Sequence, residues 1–502
     1  MKRFPVLYWI PVLLALVHGI WFLGTGPVDD DYICFRYARN LLEGNGLVYN
    51  VGERFEGFTT PLWVFLHAGW QALGGSSPAL SVWAGIGAFV ACCAGLALHA
   101  KRADRLPWAA LVLAAAPAMA WHSVAGLGTV PLAMCLVFAY LSHRRAEDES
   151  KPAWGAAIWL GLACGLRQEC ALFALPFLYS QWRAGWRGTG LVPLTVLVGW
   201  TLFRLAYYAS LLPTTYHAKK LGLLTDWGYG WRYFLEASAN FGLPLLLLLA
   251  VRFGFRGAQG KAPGARMAAA LGLLLHCVYV IHVGGDFMVL SRFFVPIVPL
   301  LLVMAFESLH DRPKLALALG LTLALGMQWN QVIDTRDVGP RKEARATKRM
   351  MQLANKERWL RLGEHFKETV PNSSSVAISP IGAFGWTSGL RIVDILGLTN
   401  GSAQGVQPEL DLVKVKGHHK TNYAWILDQD PEYMILGNGV RSASGQYTIC
   451  PWERGFFEQP EIAARFKARY RQASMRLPAE YALDLFIRRD QPLPPRTEWV
   501  AP

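Results

Sequence analysis

The chain has 502 residues, of which 53% are apolar and only 17% charged, against about 25% charged in ordinary globular domains. That excludes a purely soluble enzyme. The net charge of +14 would point to nucleic acid in a soluble protein, but here the basic residues fall mostly between apolar runs, the pattern of a membrane protein's cytoplasmic loops. The 20 Trp and 17 Tyr fit the same class, because their rings settle at the two bilayer interfaces. Of the eight cysteines, Cys92, Cys93, Cys135, Cys164, Cys170 and Cys277 lie in apolar runs, with only Cys34 and Cys450 outside them. No CxxC metal spacing exists, and no disulfide framework is called for.

Crossing roughly 30 Å of hydrocarbon takes about 20 residues. Apolar stretches of that order lie near 5–24, 79–100, 107–121, 127–142, 153–167, 169–182, 190–209, 233–251, 267–283, 289–306 and 313–330, so about 11 spans are predicted. Residues 153–182 fit one helix or two. The first run follows only Lys2 and Arg3 and leads into Trp21-Phe22-Leu23 rather than a small-residue cleavage site, which reads as a retained span. With the N-terminus inside, the segments around Lys101–Arg105, His143–Arg145, Arg183–Arg187, Arg252–Arg266 and Arg312–Lys314 face the cytoplasm, and every one is basic. The outer side then receives loop 25–78 and the connections around 121–126, 167–169, 211–231 and 284–288. Within that loop, residues 61–75 are expected to form an amphipathic helix on the outer interface. Beyond residue 330 no run approaches spanning length, which sets off a transmembrane domain, 1–330, from a soluble outer domain, 331–502. Short strands at 375–378, 391–395, 433–436 and 483–487 alternate with helical stretches near 341–369 and 458–470, a mixed α/β pattern. No internal repeat is found.

The most unusual polar group is Asp29-Asp30-Asp31-Tyr32, three adjacent carboxylates directly after a spanning helix. Such a cluster raises at least one pKa. It serves either as a helix-end acidic run facing water or as a carboxylate that takes an acceptor proton or stabilises a cationic sugar. Arg36, Arg39 and Glu56, with Gly-punctuated turns between them, make this an ordered loop. Tyr216-His217-Ala218-Lys219-Lys220 and Arg292 stand just beyond apolar helices, where cations either snorkel or hold a phosphate. Arg167 lies between two apolar halves with Glu169 nearby, a functional pair or a buried structural ion pair. Asp286, after Gly284-Gly285, either orients substrate or caps a turn. His418-His419 offer imidazoles to a metal, but no second ligand cluster accompanies them. Metal: none is called for, although a divalent ion is not excluded.

Asp29-Asp30-Asp31-Tyr32-Ile33-Cys34-Phe35-Arg36-Tyr37-Ala38-Arg39-Asn40 and Glu56-Gly57-Phe58-Thr59-Thr60-Pro61-Leu62-Trp63 resemble the first outer loop of the mycobacterial terminal β-arabinofuranosyltransferase family. The resemblance continues, in the same order, through Gly165–Glu169, Phe203–Tyr208, Leu212–Lys219, Gly284–Met288, Ser291–Phe293, Val393–Thr399 and Gly417–Lys420. The chain departs from that family at Gly128, where Glu is usual, at Gln168, where Pro is usual, and at Thr214, where Asn is usual.

The resemblance implies a polytopic α-helical GT-C membrane protein with a C-terminal soluble mixed α/β domain, in a bacterial inner membrane. It implies transfer on the periplasmic face of a sugar, with D-arabinofuranose expected, from a polyprenyl-phosphate donor to a glycan or glycoprotein acceptor. Asp29 and Asp30 fall on the catalytic acidic pair; Arg167, Tyr216, His217, Lys219 and Arg292 are assigned to the donor phosphate; Arg36, Glu56, Glu169, Asp286, His418 and His419 are assigned to orienting substrate. A GT-C mannosyl- or hexosyltransferase is the nearest alternative. A transporter or flippase fits less well, because transporters place ionisable groups at mid-membrane and often show repeated halves.

Overall fold

A computed structural model of the chain describes residues 5–256, 264–331, 358–410, 413, 415–437, 449–476 and 482–500. Two compact units emerge. The first comprises 1–28, 59–206 and 222–353; the second comprises 29–58, 207–221 and 354–502.

The first unit is helical. Among the described residues, five helical stretches are long and apolar enough to cross a membrane: Val6–Thr25, Ser77–Arg102, Arg187–Tyr208, Ala265–His282 and Val289–Ser308. This is a multi-pass membrane architecture. Two further pairs, Trp108–Ala114 with Pro117–Ala125 and Leu223–Phe241 with Leu243–Phe255, pass the same test together but bend by 59° and 84°, which raises the total to seven if each is one span. The sequence expectation of about eleven is therefore not reproduced by length and apolarity alone. The bends have local causes. Ala116 precedes Pro117 and is extended, because proline's ring disfavours the helical region for its predecessor and removes a donor. Gly242 adopts φ +65° between its two helices and is followed by a helix with proline in its first turn, a left-handed stop only glycine makes cheaply. The stretch 153–182 resolves into two helices, Trp154–Leu166 and Cys170–Arg183, broken at Arg167. Helix Pro61–Ala72 has 12 residues, about 18 Å at 1.5 Å each, too short to span. At Glu307 the unit closes around a buried carboxylate: His99 Nε2 lies 2.7 Å away, Tyr140 Oη donates at 2.8 Å and Arg144 Nη1 is at 3.5 Å.

The second unit is built on a six-stranded mixed sheet of order β2-β1-β3-β5-β4-β6. The strands are β1 Ser375–Ile378, β2 Arg391–Asp394, β3 Tyr433–Ile435, β4 Tyr470–Arg476, β5 Ala482–Arg488 and β6 Thr497–Trp499. β2, β1 and β3 are parallel; β5, β4 and β6 add antiparallel. The parallel pair β1–β2 requires a crossover, and helix Gly382–Ser388 supplies it. One face is sealed by Ile426, Phe456, Phe466, Met434 and Phe486. All eight cysteines are free thiols.

Residues 29–58 pack into this second unit. Asn50 donates to the Ile392 carbonyl at 2.8 Å and accepts from its N–H at 3.1 Å, so one amide side chain pairs with the outer edge of β2 and blunts it. Glu53 adds an ion pair to Arg391 at 2.8 Å.

Candidate active site

The acidic motif opens helix Asp29–Leu42 in the second unit. Three carboxylates suit a helix N-terminus, where exposed N–H groups and the helix dipole favour negative charge. The environments of the three nevertheless differ. Asp29 is half-buried and receives two backbone bonds from the start of helix Gly382–Ser388: Gly382 N donates to Oδ2 at 3.0 Å and Ala383 N to Oδ1 at 2.8 Å. Asp30 is half-buried, about 100° further round the helix. Asp31 is fully buried, which removes the reading of the whole run as facing water. Burial pushes Asp29 up to about 6; the bond from Ala383 opposes the rise and the charge of Asp30 adds to it.

Gly382 allows this seating. A methyl group there would overlap the Asp29 carbonyl and stand 2.9 Å from Oδ2. Gly382→Ala is therefore expected to destabilise the protein by about 1–3 kcal/mol, the range for overpacking, and to lower its melting temperature.

Arg36, assigned from sequence to orienting substrate, is committed to the protein. It is 4% exposed; Nε donates to the Tyr49 carbonyl at 2.8 Å, Nη1 to Gly385 at 2.7 Å, and Nη2 to Leu390 at 2.7 Å and Asn50 Oδ1 at 3.1 Å. This geometry makes it a clamp between residues 29–58 and the β1–β2 crossover. Glu56 is buried, and its carbonyl accepts from Thr214 N at 3.1 Å at the head of helix Thr214–Lys219. Asp394, at the end of β2, accepts from Leu396 N and Thr399 N, both at 2.9 Å, and shapes the following turn. That turn meets Gly57, where an added Cβ would lie 2.6 Å from Thr399 Cγ2.

Tyr216, His217, Lys219, His418 and His419 also belong to the second unit. Lys420 Nζ donates to the His217 carbonyl at 3.0 Å, while the His418 ring lies 4.6 Å from that of Trp452. Burial, with Lys420 and Lys220 adding to it, holds His217 below the usual imidazole range.

Arg167, Glu169, Asp286 and Arg292 belong to the first unit. A pocket there is lined by Gly128, Arg167, Glu169, His276, Arg292 and Phe293, among others. Both guanidiniums lie on the Phe293 ring, 5.3 and 5.1 Å from its centroid. Arg167 pairs with Glu169 at 3.3 Å and donates to Thr59 Oγ1 at 2.5 Å; Arg292 pairs with Asp286 at 2.6 Å. Leu127, in the pocket lining, adopts left-handed backbone at φ 62°, a strain that clusters at functional sites. Among the described residues no group of three or more His, Cys, Asp or Glu is placed to hold a metal ion.

The backbone donors that seat Asp29 escaped sequence reasoning, as did the bond from Lys420 to the His217 carbonyl. Gly382 and Gly385, directly after a strand, were the available signal for a strand-turn-helix corner.

Comparison with known proteins bears out the resemblance read from the motifs. The chain is 28% identical over 345 residues to a terminal β-(1→2)-arabinofuranosyltransferase of Corynebacterium glutamicum, covering 58% of this chain and 50% of the relative. It is 29% identical over 310 residues to the protein of the same name from Mycobacterium tuberculosis, covering 52% and 49%. The chain thus spans about half the length of the curated relatives it matches. Residues 343–486 match a domain of unknown function, DUF8728. Among solved structures, ArnT from Cupriavidus metallidurans bound to undecaprenyl phosphate aligns with 78% of this chain and 87% of its own, at 13% identity and a TM-score of 0.49.

Proposed function

We propose that this protein is an integral-membrane GT-C glycosyltransferase that moves D-arabinofuranose from a polyprenyl phosphate to a glycan or glycoprotein on the outer face of a bacterial inner membrane. The observation that carries the reading is the acidic helix start: Asp29 is held by two backbone donors, and Asp30 stands half-exposed beside it. Similarity to two terminal arabinofuranosyltransferases supports the sugar, and the apolar helices support the lipid carrier.

In the proposed reaction the bond from the sugar's anomeric carbon to the phosphate oxygen breaks, and a bond from that carbon to an acceptor oxygen forms. Asp30 takes the acceptor's proton or stabilises the cationic sugar. Polyprenyl phosphate leaves with the electron pair of the broken bond. Its negative charge needs cationic donors, and Lys219 with Tyr216 and His217 in the second unit, or Arg167 and Arg292 in the first, supply that chemistry. Glu56, Glu169, Asp286, His418 and His419 position these groups or the sugars, and no metal is required by the scheme.

Transfer is expected to fall as pH drops through about 6, because protonation of Asp29 removes acceptor capacity from the seat beside Asp30. Stability should move the other way. A carboxyl raised from about 4 to about 6 stabilises the fold fully below the lower value and loses that contribution as pH rises through the upper one. Rate and melting temperature measured from about pH 5 to 8 check both signs. The sugar is tested by supplying purified protein with polyprenyl-phosphoryl arabinofuranose or mannose. Preference for mannose would replace the arabinose assignment with the hexose one.

A further inference from the structure

Arg292 and Phe293, which line the first unit's pocket, directly follow two consecutive non-glycine residues in left-handed backbone, Leu290 at φ 59° and Ser291 at φ 51°. Such backbone persists only where its surroundings over-determine it. Side chains from three helices supply the restraint on segment 289–293. From Pro117–Ala125, His122 Nε2 donates to the Val289 carbonyl at 3.2 Å. From Leu223–Phe241, Asn240 Nδ2 donates to Ser291 Oγ at 2.9 Å, and the Tyr233 hydroxyl accepts from Phe293 N at 2.9 Å. From Ala265–His282, His276 Nε2 donates to the Phe293 carbonyl at 2.8 Å. Phe293 is thus gripped at both its N–H and its C=O. Tyr233 also packs on the approach to the turn: an added Cβ on Gly285, itself at φ +67°, would overlap the Tyr233 ring. Gly285 precedes Asp286, which pairs with Arg292 Nε at 2.6 Å, so one phenol braces the chain beside both members of that pair.

We propose that Tyr233 and His276 are positioning residues for the lipid-linked donor, holding the Phe293 peptide so that the strained turn stays formed and Arg292 meets the donor's phosphate in this pocket. This deepens the proposed function and rests on its polyprenyl-phosphate donor. The ion pair with Asp286 fixes Nε, and the two terminal nitrogens of a guanidinium carry further donors for an oxyanion. A planar fork recognises phosphate only in a fixed orientation. A turn that relaxes to ordinary backbone takes the fork out of that orientation, and affinity falls with the fraction of molecules in which the turn is formed. Neither Tyr233 nor His276 needs to touch the donor.

The test is binding of undecaprenyl phosphate, in detergent micelles, to full-length protein at a temperature where melting curves show every variant folded. Tyr233→Phe, which removes only the hydroxyl, and His276→Leu are each expected to weaken binding about ten-fold, near the upper end for one neutral hydrogen bond. His276→Gln, whose amide still donates, should keep wild-type affinity. Adding Leu290→Gly to Tyr233→Phe should restore most of the loss, because glycine adopts left-handed backbone without strain. Wild-type affinity in Tyr233→Phe or His276→Leu overturns the inference, as does a loss that Leu290→Gly leaves unrepaired or one that is equal in His276→Gln and His276→Leu. Wild-type affinity in Arg292→Gln overturns it too, and leaves the lipid-phosphate reading standing with the phosphate held elsewhere. No binding by the wild type overturns both.

Discussion

Asp30→Asn is expected to lose about 10²–10⁴-fold in transfer rate, the range for general-base assistance, while inserting, folding and binding donor as the wild type does. Asparagine preserves size but removes charge and basicity. Asp29→Asn should behave differently, because both Asp29 oxygens face N–H donors. An amide places its own NH₂ against one of them, which leaves a donor unsatisfied at about 1–3 kcal/mol. That variant should lose stability and activity together. Steady-state kinetics beside melting curves separates the two. Asp29→Asn inactive at full stability, with Asp30→Asn active, would transfer the base assignment to Asp29. Asp31 is fully buried, so its variants report on folding rather than on charge alone.

Arg36→Ala is expected to have the largest effect on stability. Its guanidinium satisfies three backbone carbonyls and the Asn50 side chain, and truncation strands these buried acceptors. Removing one member of such a buried charged network costs about 3–5 kcal/mol, a large part of the roughly 5–15 kcal/mol that holds a domain together. Arg36→Lys should recover little, because an ammonium cannot reproduce the planar fork that reaches four acceptors. Denaturant unfolding and limited proteolysis measure the loss. Near-wild-type stability in Arg36→Ala would return this residue to the group that contacts substrate.

The C-terminal strands that carry β-branched residues were legible in sequence: 375–378 and 391–394 lie where their Val and Ile place them. β4 was missed. Tyr470–Arg476 has no β-branched residue, and its strand state comes from full-length pairing with β5, from Tyr470↔Arg488 to Arg476↔Ala482; tertiary context overrides local preference there. Hydropathy located the apolar runs but could not see the bends at Ala116 and Gly242, since a window average carries no backbone angle. The acidic run was legible as chemistry. The division of labour within it was not, because the donors that seat Asp29 lie 353 and 354 residues away. The clamp made by Arg36 was not legible for the same reason, its partners Gly385 and Leu390 being equally remote.

The central proposal is transfer of a sugar from lipid phosphate to a glycan, and its most direct measurement is stoichiometry in proteoliposomes carrying polyprenyl-phosphoryl arabinofuranose labelled in the sugar, with an arabinan acceptor supplied. The account predicts one polyprenyl phosphate released for each labelled residue joined to the acceptor, with both products falling together in Asp30→Asn. Labelled lipid crossing the bilayer intact, with no glycosidic bond formed in the wild type, would contradict it and identify the protein as a transporter of the same lipid.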